Sequence, residues 1–311
     1  MEGEKEMMNF ITSLLPGALQ SGTSVLYGIY GETITERVGV INLGTEGCMI
    51  AGALAGYAFT YKSGLPFMGV LMGAVCGGLL AFIHSLLVIY RRANQLATGL
   101  TIMFMGVGIT AFLGIDYVSV SCKGLSPIAI PLLSRIPVLG PVVFNQDILT
   151  YISYILCPLL TWFLFKSRSG LILRAAGEDS EVLSVYGYDP KLVKMAGVIL
   201  GGMISGIGGA QLSMAYTHTW IENMTNGRGV VAVALVVLAG YNPKYAMIGA
   251  YVFGGAQALQ LLLQAQGVNI STFILQMFPY IFTIFALFIA AKSGKQSAPA
   301  ELKKIIESSA N

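Results

Sequence analysis

The chain has 311 residues, of which 55% are hydrophobic and only 11% charged, with a formal net charge of +3. A soluble globular chain carries roughly 25% charged residues, whereas here no Asp, Glu, Lys or Arg falls in 11–31, 63–90, 93–115, 148–165, 195–221, 229–243 or 245–291. Such windows exclude a soluble domain, and a β-barrel would show short alternating segments instead; the pattern is that of an all-α polytopic membrane protein, and the small net charge carries no signal for nucleic acid.

The N-terminal stretch MEGEKEMMNF lacks a basic region and a cleavage site, so it does not read as a removed signal peptide. Nine hydrophobic segments follow, at roughly 10–31, 38–60, 66–90, 95–119, 148–165, 193–215, 229–241, 243–265 and 272–291. They predict a helical bundle of about nine transmembrane segments forming one membrane domain over 1–311. The second segment, VGVINLGTEGCMIAGALAGYAF, carries Glu46 as its sole charge. A carboxylate at such a position costs a few kcal/mol, so it needs a task. Asn42 lies one turn before Glu46, on the same helix face. Glycines four apart in the third segment (Gly69, Gly73, Gly77), and the pairs Gly52/Gly56, Gly197/Gly201 and Gly202/Gly206, predict close helix contacts.

Between the fourth and fifth segments lies the loop 120–147, whose four prolines suit a shaped, non-helical surface. The loop 166–194, KSRSGLILRAAGEDSEVLSVYGYDPKLVK, mixes both signs of charge. Within it, 178–188 predicts one short helix, with Glu178, Asp179 and Glu181 in its first turn, Val182, Leu183 and Val185 as apolar contacts and Gly187 at its end. The seventh segment is too short for an ordinary span. The polar THTWIENMTNGRG before it predicts a broken or re-entrant element lining a cavity. In the eighth segment Gln257, Gln260 and Gln264 share one helical stripe, facing other helices or a watery path.

Arg91-Arg92, the five cations between Lys166 and Lys194, and Lys292, Lys295, Lys303 and Lys304 in the tail 292–311 all fall on one face of a nine-span chain. That face is expected to be cytoplasmic, with the N-terminus and 120–147 outside. A faint echo links Glu32-x-x-Thr35-Glu36-Arg37 to Glu222-x-x-Thr225-Asn226-Gly227-Arg228. It fits an inverted repeat of segments one to four in six to nine. Cys48, Cys76, Cys122 and Cys157 form no C-x-x-C pair and read as packing residues; His84 and His218 form no ligand cluster, so no metal site is expected. The tripeptides at Asn223 and Asn269 fit the glycosylation pattern by chance. There is no phosphate-binding loop, no acid–His relay across the spans and no catalytic constellation. The residues describe a non-enzymatic membrane pathway, with no cofactor of its own, that is powered from outside the chain.

ERVGVINLGTEGCMIAGALAGY resembles the Ser/Thr-Glu-Arg-x-Gly-Val-x-Asn-x-Gly-x-Glu-Gly signature of bacterial nucleoside ABC-transporter permeases, within the branched-chain amino acid and ribose permease superfamily. The likeness continues through RRANQLATGL, IPLLSRIPVLGPVVFNQ, SGLILRAAGEDSEVLSVYG, ENMTNGRGVVAVALVVLAGYNP and FGGAQALQLLLQ, and the chain looks like the shorter of that branch's two permease subunits. The resemblance implies half of a transmembrane pore in the bacterial cytoplasmic membrane. Its implied partners are a second, related permease, a cytoplasmic ATP-binding subunit docked on 166–194, and an external substrate-binding lipoprotein that delivers the nucleoside. By the same resemblance Arg174, Gly177, Glu178 and Gly187 fall on the coupling pattern. Asn42, Glu46, Glu222, Asn223, Thr225 and Arg228 fall on two pore-proximal motifs. One departure is Tyr241, where the family pattern has a more basic end.

A nucleoside path needs amides for the sugar and rings or apolar surface for the base. Gln257, Gln260, Gln264, Asn42 and Asn223 supply the amides, and Tyr216 and Trp220 supply rings near the outer mouth. Glu46 is expected to pair with Arg37 or Arg228 in a helix break, or to accept a hydrogen bond from a ribose hydroxyl. The competing readings are a sugar or branched-chain amino acid permease of the same family, a stand-alone ion-coupled transporter, and an intramembrane enzyme.

Overall fold

The computed structural model describes residues 2–136, 139–268, 270–292 and 298–304. Asn269 and Lys295 fall outside the described residues. Each of the nine apolar segments forms a helix. In chain order the elements are α1 (Glu2–Arg37), α2 (Thr45–Ser63), α3 (Pro66–Ser85), α4 (Gln95–Leu113), α5 (Leu139–Val143), α6 (Ile148–Lys166), α7 (Arg168–Glu178), α8 (Ser180–Val185), α9 (Pro190–Gln211), α10 (Arg228–Leu238), α11 (Pro243–Ala265) and α12 (Thr272–Lys292). Single π-helical turns extend α3 over Leu86–Tyr90 and α9 over Leu212–Tyr216. The loop 120–147 is largely irregular as expected, apart from α5 and a two-residue ribbon pairing Ile128–Ala129 with Asn145–Gln146.

Among the described residues, five of these helical stretches are long and apolar enough to cross a membrane: 66–90, 95–113, 148–166, 190–216 and 243–265. Large apolar side chains on them face outward, including Phe104 and Phe112 on α4, Ile155 and Trp162 on α6 and Ile248 on α11. In water such a surface would drive association; in a bilayer it meets lipid. The protein is an all-α polytopic membrane protein. Helix α10 has only eleven residues, roughly 16 Å at 1.5 Å per residue, about half the hydrocarbon thickness.

At the centre α1 and α9 pack on each other. Helix α1 also lies along α11 and α10, while α9 lies along α3 and α2. Helices α2 and α4 touch, as do α10 and α12. This is the contact pattern expected if α1–α4 recur as α9–α12. The residue-level echo follows it in part: Thr35 and Thr225 are both buried, as are Arg37 and Arg228, but Glu32 is buried whereas Glu222 is exposed. Small residues make the crossings possible. A Cβ on Gly52 would stand 2.6 Å from the Gly206 Cα, and one on Gly77 would stand 2.8 Å from that same atom. Helices α2, α3 and α9 therefore meet backbone to backbone, which any side chain at these positions would prevent.

Two ends of the bundle can be told apart by what gathers there. At one, the α1–α2 link, the α3–α4 link, α8, the start of α9 and residues 298–304 converge, and Lys191 sits 5.6 Å from the Tyr90 ring. At the other, the 114–124 stretch meets the end of α2 and the segment after α9: Tyr57 donates to the Val120 carbonyl, and Val118 and Ser121 bridge Trp220 and Thr219.

Candidate functional site

The site is built around α10 and the break between α1 and α2. Helix α1 outlasts its apolar run by six residues because Glu32, Glu36 and Arg37 are buried rather than solvated. It ends at Arg37, and Gly39, two residues on, turns the chain with a φ of +82° that suits a residue without Cβ. Asn42 then makes a tight turn, its Oδ1 accepting from Gly44 N at 3.0 Å. Glu32 reaches across this turn. Its Oε1 accepts from Asn42 N at 2.7 Å and its Oε2 from Thr45 Oγ1 at 2.8 Å, which fastens the start of α2 to α1.

Glu46 lies in the first turn of α2 but serves another helix. Its Oε1 accepts from Thr225 Oγ1 at 2.5 Å and from Gly227 N at 2.9 Å, and its Oε2 accepts from Gly229 N at 2.5 Å. The two N–H groups lie at the start of α10, where an intrahelical ladder leaves backbone donors unpaired, and Thr225 sits on the turn before it. The turn that delivers them is written in its sequence: Asn223, Asn226 and Gly227 all have positive φ, a region that Asn and Gly enter most readily. At the other end of α10, Arg37 donates to the Tyr241 carbonyl from Nε at 3.1 Å and Nη2 at 3.0 Å. Its guanidinium also stands 5.3 Å from the Phe165 ring and 5.7 Å from the Tyr241 ring. A carboxylate at the N-terminus and a guanidinium at the C-terminus both complement the helix dipole, for about 0.3–1 kcal/mol each and up to about 2 when partly buried. The short helix is thus held at both ends from the α1–α2 break.

The expected pairing of Glu46 with Arg37 or Arg228 is corrected. All three side chains are buried, and neither arginine forms an ion pair with Glu46 among the described residues. Arg228 turns to α1 instead, donating from Nη1 to the Ser21 carbonyl at 2.9 Å and to Ser24 Oγ at 2.7 Å, with the Tyr216 ring 5.8 Å away. Two backbone N–H groups and the Thr225 hydroxyl satisfy the carboxylate without a counter-ion, because the turn fixes them in place.

The remaining expected residues divide. Gln257 Oε1 accepts from Ser21 Oγ at 2.6 Å, joining α11 to α1. Gln260 and Gln264 are half-buried, and Gln264 Nε2 is buried without a hydrogen-bond partner among the described residues. Tyr216 is half-buried on the π-helical turn, and Glu222 and Asn223 are exposed on the turn before α10. Trp220 is not at an open mouth: it is 1% exposed and packs with Ile50, Ala53, Leu54 and Tyr57. Tyr241, the departure from the family pattern, serves through its carbonyl and through its buried ring beside Arg37.

In the 166–194 loop the short helix expected over 178–188 is present as α8, over Ser180–Val185, and a second helix not expected from the sequence, α7, precedes it over Arg168–Glu178. Helix α7 ends at Glu178, and Asp179 caps α8 through Glu181 N at 2.9 Å and Val182 N at 3.3 Å. Gly187 takes φ +82° after α8 ends, and remains exposed. Leu183 is buried in the fold, whereas Val182, Val185 and Tyr186 on and just after α8 are exposed and present an apolar face, with Tyr188 exposed beside them. Arg174 stacks 5.2 Å from Phe165, and buried Gly177 packs on the α1–α2 link, where a Cβ would come within 2.9 Å of Gly39 N. Sequence reasoning missed Ser21, Ser24 and Glu301. The first two are ordinary helical serines, and the third lies far along the chain in a polar stretch. The four cysteines are free.

A helical membrane protein with a half-length helix tethered at both ends and an apolar knob beside its basic end has the build of a transport pathway subunit. Comparison with known proteins agrees. Residues 13–290 match the family described as branched-chain amino acid transport system, permease component, and the chain belongs to that family of ABC-transporter permeases. It is 37% identical over 262 residues, 83% of this chain and 80% of the relative, to a Haloferax volcanii protein named, provisionally, as a glucose ABC transporter permease. It is 30% identical to a nucleoside ABC transporter permease of Lactococcus lactis and 29% identical to a guanosine ABC transporter permease of Bacillus subtilis, each over 94% of this chain and 96% of the relative. No solved structure matches the chain significantly. Permeases of this family work with an ATP-binding subunit and a substrate-binding protein, and no catalytic activity is indicated for the chain itself.

Proposed function

We propose that this chain is the membrane-spanning permease of an ATP-driven importer for nucleosides. The observation that supports it is coverage: two relatives named for nucleoside or guanosine transport align with it over 94% of its length and 96% of theirs. A second reading, a sugar permease, is favoured by the 37% identity to the relative named for glucose. Both cargoes offer ring hydroxyls, and the base distinguishes them.

In this reading the path runs past Gln257, Gln260 and Gln264 of α11 and past Tyr216 and Asn223. Asn42, Glu46, Trp220, Thr225 and Arg228 hold its walls. The pore is completed by a second, related permease, and an external lipoprotein delivers the cargo. The end carrying Arg91, Lys191 and Lys303 faces the cytoplasm of a bacterial cell, and the N-terminus is external. The ATP-binding subunit docks on Val182, Val185 and Tyr186 of the α8 region, with Arg174, Gly177, Glu178 and Gly187 shaping that surface. The test is uptake by cells that express or lack the chain. Labelled guanosine should enter only the former, and an excess of other nucleosides should compete. Competition by glucose alone would favour the second reading.

A further inference from the structure

We propose that residues 298–304 act as a transmission strap, in which Glu301 links helices α7 and α8 to the α1–α2 break and the end of α10. The inference rests on the reading of α8 as the ATPase contact and adds the element that carries its movement inward.

Glu301 binds two elements at once. Its Oε1 accepts from Ser180 Oγ, on the first residue of α8, at 2.5 Å. Its Oε2 forms an ion pair with Lys194 of α9. One residue earlier, Ala300 N donates to Glu178 Oε2, on the last residue of α7, at 3.1 Å. The two helices that meet at Asp179 are therefore tied to the same short stretch. One residue later, Leu302 is 1% exposed and lies in the apolar cluster that holds Val236, Ala239 and Tyr241 at the end of α10. The strap also lies on the break itself, since a Cβ on Gly39 would stand 3.3 Å from Glu301 Oε2 and 3.3 Å from its Cβ.

These contacts form a continuous path. It starts at α8 and passes through Ser180 and Glu301 to Gly39, and through Leu302 to Tyr241. There Arg37 already binds the Tyr241 carbonyl at 3.0 Å, and α10 follows. A cleft of about 420 Å³ opens beside this path, between α8, the start of α9 and the α3–α4 link, with Glu301 in its wall. Helix α8 has room to shift there, and the strap converts that shift into a pull on the break. The Lys194–Glu301 pair is only 15% and 22% exposed, so solvent screens it less than a surface pair. Charge-assisted bonds are also the stronger kind for such a joint. Energetic coupling over such distances travels through contacts of this type, and single changes along them alter it by about 0.5–2 kcal/mol, a factor of roughly two to thirty.

The test uses the complete transporter in proteoliposomes, with ATP hydrolysis and uptake measured together. The ratio is read with whichever of labelled guanosine and glucose the parent vesicles take up. Glu301→Ala should keep the ATP-binding subunit and its hydrolysis, while transport per ATP falls about threefold or more. The exchange Lys194→Glu with Glu301→Lys should recover part of it. A merely structural role would lower both rates together, and an unchanged ratio in Glu301→Ala overturns the strap. Parent vesicles without binding-protein-stimulated hydrolysis would instead refute the ATP-driven reading on which it rests. A contact test needs no transport at all. Ser180→Cys with Glu301→Cys, in a chain whose four native cysteines are replaced, should cross-link in native membranes with a short bifunctional thiol reagent. Absence of that cross-link overturns the strap.

Discussion

Replacing Glu46 with Gln tests what holds the short helix α10. In the parent, Oε1 accepts from Thr225 Oγ1 at 2.5 Å and Gly227 N at 2.9 Å, and Oε2 accepts from Gly229 N at 2.5 Å. The amide keeps one oxygen, and so two of these bonds, now neutral. Each loses about 1 kcal/mol of charge assistance. The new NH2 group faces Gly229 N–H, donor to donor, and leaves a buried donor unpaired at about 1–3 kcal/mol. The favourable charge at the helix start is lost as well, for up to about 1 kcal/mol. The total is roughly 3–6 kcal/mol, against the roughly 5–15 kcal/mol that holds an ordinary domain. Heat-induced loss of monodisperse protein in detergent is a suitable assay, with variants compared at one heating rate because unfolding of such proteins is irreversible. At about 2 °C per kcal/mol, the apparent Tm should fall by roughly 6–12 °C. Glu46→Asp, one methylene shorter, should fall as well, since it cannot span both oxygens' partners. A Glu46→Gln protein that melts within about 2 °C of the parent would refute the capping account.

Arg37→Met should lower the apparent Tm by removing both donors from the buried Tyr241 carbonyl, and Arg37→Lys should restore only part of the loss, because an ammonium lacks the planar fork; equal melting of all three proteins would count against the clamp. Val182→Asp should leave folding intact and abolish co-purification of the ATP-binding subunit, whereas Leu183→Asp should reduce folded yield, because Val182 is exposed and Leu183 buried. If Val182→Asp retains the subunit, docking lies elsewhere. Single cysteines at Arg91, Lys191 and Lys303 should label from the cytoplasmic side and one at Lys123 from outside; labelling of position 91 from outside would overturn the proposed orientation.

Helix existence was legible because membrane spans announce themselves by run length alone. Where the runs stop was less legible. The six residues Glu32–Arg37 look like a loop in sequence, yet they continue α1, buried, with Glu32 and Arg37 bonded to groups in the interior. Glu46 stood out because an intramembrane carboxylate is costly. Its partners did not, because Thr225, Gly227 and Gly229 lie about 180 residues away and two of them contribute only backbone N–H. A search for opposite charges therefore pointed to Arg37 and Arg228, which serve other carbonyls. Trp220 illustrates the same limit: a ring beside a polar turn reads as a mouth residue, and only packing on α2 shows it to be core. The start of α8 at Asp179 was hidden in plain view, since Asp followed by Ser is a good cap, but Glu178, Asp179 and Glu181 read equally well as the first turn of one helix.

The central claim is that ATP hydrolysis by a partner subunit drives a nucleoside through this chain. It is tested most directly with the chain, its partner permease, the ATP-binding subunit and the binding protein in one proteoliposome preparation, by following labelled guanosine and labelled glucose side by side. The account predicts guanosine accumulation that requires internal ATP on the cytoplasmic face, persists when ion gradients are collapsed, and is not matched by glucose. Accumulation of glucose in place of guanosine, or guanosine uptake that follows an ion gradient without ATP, would contradict it.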